Sequence, residues 1–180
     1  MTKKITKTAA VIILAIGLLT NAAAQNVTDG NGIIQSPFTG IETANGTFER
    51  QTDKFYGNSF VLNSFGEWET RHFTVSLDYL CEKCGENSHF PVTGGAWSMV
   101  VFRENVYVGT LYGKVSGGTI DVVTNRNGEP GFRQMQIKLE VTGGMGRFAG
   151  KRSGNIGVFE AITDAVSNQT TGYVNLDLLL

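Results

Sequence analysis

Proline, cysteine and histidine are all scarce here: three, two and two residues in a chain of 180. Each scarcity narrows what the protein does. With two histidines and no Gly-x-Ser-x-Gly, a Ser–His–Asp hydrolase has little support. One pair of cysteines is no disulfide scaffold, and a chain of this size can bury a sizeable core without staples. After residue 24 no apolar run is long enough to cross a bilayer as a helix, and no stretch reads as a helix at all. Excess positive charge is missing too. Lys and Arg total 15 against 16 Asp and Glu, for a net charge of −1, which speaks against nucleic acid and anionic membrane surfaces as partners.

The first residues have a different character. Lys3, Lys4 and Lys7 form a basic head, Ala9 to Leu19 is an apolar run of 11, and Ala22-Ala23-Ala24 supplies small residues for cleavage. Residues 1–24 therefore read as a secretory signal peptide, too short for a membrane span. The expected location is secreted or periplasmic, with a mature chain that starts at Gln25. Cleavage removes three lysines and no acid, so the exported form is more negative. No cysteine follows the site to carry a lipid anchor. Residues 25–40 are polar and rich in Gly and Asn, and read as a flexible arm. Residues 41–180 make one domain.

Glycine is abundant, at 23 residues, nearly twice the average share of about 7%. Many tight turns between short strands would use glycine that way. In Trp68–Leu80, Phe73, Val75, Leu77 and Tyr79 share one face, and His72, Thr74, Ser76 and Asp78 the other. Cys81–Gly95 reads as a long loop. Ala96–Phe102 and Val106–Val115 are strands joined at Glu104-Asn105, and Ser116-Gly117-Gly118 reads as a turn into Thr119–Val123. Arg133–Val141 alternates strictly, with Met135, Ile137, Leu139 and Val141 on one side. Ile156–Ile162 is a further strand. Tyr173–Leu180 closes the chain, and its Val174, Leu176 and Leu178 face could pair with an early strand and shut the sheet. The pattern predicts an all-β protein, a closed antiparallel barrel of about eight strands, with a β-sandwich as the alternative.

Between two of these strands runs Val141-Thr-Gly-Gly-Met-Gly-Arg-Phe-Ala-Gly150. Gly143, Gly144 and Gly146 read as turn residues, suited to positive φ or to close backbone approach. A phosphate loop does not fit. No helix follows to face an anion, and Arg152 stands where the Walker pattern needs Ser or Thr. The motif resembles the signature of allene oxide cyclase-like β-barrels, the superfamily of plant dirigent proteins and many small secreted bacterial proteins. The resemblance runs from about Gly109 to Leu180. It implies a barrel and a homo-oligomer, and it raises a cyclase or a guide of coupling reactions as one function. It carries no catalytic residue onto this chain.

Several side chains are candidates in their own right. Cys81 and Cys84 read as a loop disulfide formed after export. A zinc site recruiting His89 and His72, a redox pair and free thiols stay open. Glu160 is a catalytic candidate if Val158 and Ile162 point inward; the competing parity puts Phe159 and Ala161 inside and Glu160 in water. Arg147 at the barrel mouth, with Tyr79, Trp97 and Tyr112, could hold a ligand, or they could be loop tie and core. No cofactor and no metal are expected. The leading reading is a secreted, non-enzymatic barrel that binds a small apolar ligand or a protein. A cyclase or dirigent-like guide and an envelope structural protein are the alternatives.

Overall fold

Side chains that alternate along a strand need a wall on one side and water on the other, and a closed sheet supplies both. The computed structural model describes residues 32–43, 47–49, 54–65, 69–81, 88–150 and 156–178. These form β1 (Gly32–Thr43), β2 (Thr47–Glu49), β3 (Lys54–Phe65), β4 (Glu69–Leu80), β5 (His89–Arg103), β6 (Val106–Thr124), β7 (Pro130–Gly146), β8 (Ile156–Asp164) and β9 (Gln169–Leu178). No helix occurs among the described residues. Each strand from β3 to β9 pairs antiparallel with the next. β1 closes the ring. It pairs with β9 from Gly32↔Leu178 to Ile41↔Gln169 and with β3 from Thr39↔Asn63 to Thr43↔Ser59. The three-residue β2 continues along β3 beyond the end of β1. The result is a closed, eight-stranded antiparallel barrel, not a sandwich. Closure removes the unpaired edges that would otherwise invite association.

The expected faces are the observed ones. Met135, Ile137, Leu139 and Val141 of β7 are buried, as are Phe73, Val75 and Leu77 of β4 and Val174, Leu176 and Leu178 of β9. On β8 Phe159 and Ala161 point in. At the waist the Phe73 ring lies 5.3 Å from Phe38, 5.2 Å from Phe159 and 6.2 Å from Trp97, centroid to centroid. The middle of the barrel is thus a packed core and not a channel. Leu139→Ala should cost about 2–5 kcal/mol of stability, whereas Lys138→Ala, one residue away on the outside, should stay within about 0.5 kcal/mol. Denaturant unfolding of the pair checks this, and equal losses would mean the inward face is misassigned.

The structure moves four boundaries expected from the sequence. Residues 32–40, expected within a flexible arm, lie in β1 and close the barrel. Gln35, Ser36, Pro37 and Gly40 are poor strand formers, but backbone ladders to its neighbours outweigh propensity. Pro37 falls where β1 pairs with β9 alone, because β3 joins only at Thr39, and such one-sided stretches tolerate a missing N–H. The Cys81–Gly95 loop ends early, since β5 begins at His89 and buries Phe90 and Val92. Ser116-Gly117-Gly118 is no turn: β6 runs through it for 19 residues, with a bulge between Val115 and Gly117. Gly118 has φ +143°, and a Cβ there would collide with the Gln136 carbonyl. Finally, Gly143 and Gly144 belong to β7. Gly143 lies under the Tyr112 ring, and a Cβ on Gly144 would strike the Phe148 backbone, so close approach, not turning, demands glycine at Gly144. The turn itself is Arg147–Gly150, entered through Gly146 at φ +66°.

Candidate functional site

The two ends of the barrel differ in chemistry. At the end where β1, β4 and β8 finish and β7 and β9 start, the inward positions turn polar. Continuing the buried alternation of β1 past Phe38 reaches Glu42, and stepping back along β7 from Met135 reaches Arg133. The Arg133 guanidinium is ion-paired to the buried Glu42 carboxylate. It also donates from Nη2 to Asn168 Oδ1 at 3.2 Å. Thr163 and Thr170, both buried on the intervening strands, share a hydrogen bond of 2.8 Å. Tyr79 completes the layer. Burial pushes its phenol up to about 12, the Glu42 charge adds to the shift, and Arg133 opposes it.

The β8–β9 turn ties this layer down. Asn168 takes φ +57°, its carbonyl accepts from the Glu42 N–H at 2.9 Å, and its own N–H donates to the Asp164 carbonyl at 3.0 Å. Asp164 Oδ1 accepts from the N–H groups of Val166 and Ser167 and from the Ser167 hydroxyl. Those bonds favour the carboxylate and hold its pKa below the ordinary value. The Ala165 N–H reaches across to the Gly131 carbonyl at 3.2 Å. Charged groups out of water require partners, and here they have one another.

The opposite end carries an open cleft of about 550 Å³, lined by Arg103, Glu104, Val106, Tyr107, Val108, Gly146 and Arg147. Two turns shape it. Glu104 and Asn105 both take left-handed φ, 49° and 63°, in the tight link from β5 to β6. After β7, the Arg147 N–H donates to the Val108 carbonyl at 3.1 Å, and Phe148 is buried beneath the turn. Most of the cleft surface is apolar. Tyr107 turns its ring to the outer wall, where its hydroxyl bonds Thr110 Oγ1 at 3.0 Å and its ring meets Phe102 edge-on at 6.1 Å. Val106 is 67% exposed at this rim.

The residues singled out from the sequence do not converge. Arg147 lines the cleft and Tyr79 lies in the polar layer at the far end. Trp97 is core, with Nε1 donating to the Glu140 carbonyl at 3.2 Å. Tyr112 lies on the outer wall, over Gly143. Glu160 does not face the interior: Phe159 and Ala161 take the inward positions, and Glu160 accepts a hydrogen bond from the Tyr173 hydroxyl on the outer wall. That bond, with burial second, pushes the Tyr173 phenol up to about 12. Gly146 serves both the turn and the cleft.

The histidines are apart as well. His89 Nδ1 lies 2.6 Å from Asp121 Oδ1, and His72 bonds Asn63 on the outside of β4. Among the described residues no three His, Cys, Asp or Glu side chains gather to hold a metal. Cys81 is buried at the end of β4. Cys84, Trp68, Lys151, Arg152 and the signal-like residues 1–24 lie outside the described residues. Glu42 and Arg133 escaped sequence reading, although the parity of the neighbouring apolar residues points to both. No family model and no curated protein matches this chain.

Proposed function

We propose that this chain is an exported, non-enzymatic binding protein whose partner, a small ligand, docks in the cleft between the β5–β6 turn and Arg147. The contrast between the two ends carries the reading. At one end Glu42 is ion-paired to Arg133 and Thr163 bonded to Thr170, and the waist is filled with aromatic rings. At the other a cleft with apolar walls opens to solvent between two tight turns. Binding clefts combine apolar walls with a few placed polar groups in this way. Membership of the allene oxide cyclase-like superfamily belongs to the same proposal, and an eight-stranded barrel is compatible with it. So do export, with Gln25 as the first mature residue, and a Cys81–Cys84 disulfide.

A second reading, a cyclase or guide of coupling, is favoured by one observation: Glu42, Arg133 and Tyr79 converge on the interior at the polar end. There a ligand would have to displace Arg133 from Glu42. One experiment separates the two. A fragment screen by two-dimensional NMR on the exported chain should move the amides of Val106, Val108, Gly146 and Arg147. Shifts confined to Glu42, Tyr79 and Arg133 would replace the first reading with the second, and no shifts at either end would remove both. Intact mass and thiol count of the same sample should give a chain from Gln25 with no reactive thiol. A retained leader or two free thiols would refute those parts.

A further inference from the structure

We infer that the cleft selects monocarboxylates with a flat, rigid apolar body, the carboxylate held by Arg103 and Arg147 and the body laid over Val106 and Val108. The inference rests on the binding reading above and names its ligand class. Two of the seven lining residues are arginines, in a chain whose acids outnumber its bases. A planar guanidinium matches a carboxylate with parallel N–H donors and also stacks on aromatic faces. Arg147 is engaged within the chain, but a guanidinium has five N–H donors and can keep a partner while it binds an anion. Glu104 stands in the same lining, so one negative charge is welcome and a second would meet repulsion. That favours a monoanion over a phosphate or a polyanion.

The choice of a rigid body follows from shape. The cleft is open and cannot wrap a flexible chain, which would lose rotamer freedom for contact on one side only. A planar ring system has none to lose and can lie flat against Val106 and Val108. The receiving surface is set in advance. The base of Arg147 is placed by its N–H bond to the Val108 carbonyl and by buried Phe148.

Calorimetry on the exported chain with 2-naphthoate, 2-naphthylmethanol, octanoate and inorganic phosphate tests this. Naphthoate should bind saturably at one site and weaken as salt rises. Arg147→Gln and Arg103→Gln should each weaken it about 10-fold or more, the usual scale for a lost charge-assisted bond, and Lys138→Gln on the outer wall should leave it unchanged. Equal melting temperatures would show that the variants remain folded. Naphthylmethanol binding as tightly as naphthoate, or Arg variants without effect, would overturn the carboxylate selectivity and leave the binding reading standing. Octanoate equal to naphthoate would overturn the rigid-body requirement, and phosphate equal to naphthoate the apolar wall. If none of the four binds, the inference fails, while the fragment screen still decides whether the cleft binds at all.

Discussion

Phe73→Ala should cost about 3–5 kcal/mol, the range for truncating a fully buried aromatic ring. Phe73 is fully buried, and its ring touches rings from β1, β5 and β8, on three sides of the barrel. Those strands belong to a closed ladder and cannot move inward to fill the space without breaking pairs on both sides. The cavity should therefore persist, which places the loss toward the upper part of the range. In a domain of this size each kcal/mol lowers the melting temperature by roughly 2–4 °C. Scanning calorimetry reads the loss directly. A change of about 1 kcal/mol or less would mean that the waist is loosely packed and could admit a ligand, which would move the binding site inside the barrel.

Breaking the Glu42–Arg133 pair should be comparably damaging, and unequal between its partners. Arg133→Met leaves a carboxylate whose side chain is 1% exposed, with its counter-charge gone; a loss of about 3–5 kcal/mol is expected. Glu42→Gln should cost less, because the Arg133 side chain is 29% exposed and can reach water. The double replacement Glu42→Leu with Arg133→Met should recover much of the loss, since apolar substitutes avoid desolvation altogether. Tyr79 gives a second readout. Burial pushes its phenol up to about 12 from the ordinary 10.0, so its contribution is intact below pH 10 and is lost as pH rises toward 12. Glu42→Gln removes one cause of that elevation, and tyrosinate absorbance should then appear at lower pH. A single-mutant loss no larger than that of a surface pair, about 1 kcal/mol, would mean the charges are solvated.

The alternating runs were sufficient to assign the inward faces of β4, β7 and β9, because a period of two leaves only two choices and burial selects the apolar one. They also made the all-β class and an approximate strand count legible. What they could not carry was continuity. Gly94-Gly95 and Ser116-Gly117-Gly118 look like ends, yet the strands bend through them, and at Gly95 and Gly118 a neighbouring backbone at close range explains why glycine is required. The same holds for β1. Its residues 32–40 read as a flexible arm, and they form a strand because β3 and β9 present ladders for β1 to complete. The local sequence thus determined which face of a strand meets the core, since that depends on side chains a few residues apart. Tertiary structure decided where strands end, that the sheet closes, and that Glu42 meets Arg133 while Arg103 and Arg147 line one cleft. Those facts depend on contacts between residues far apart in the chain, which no local pattern encodes.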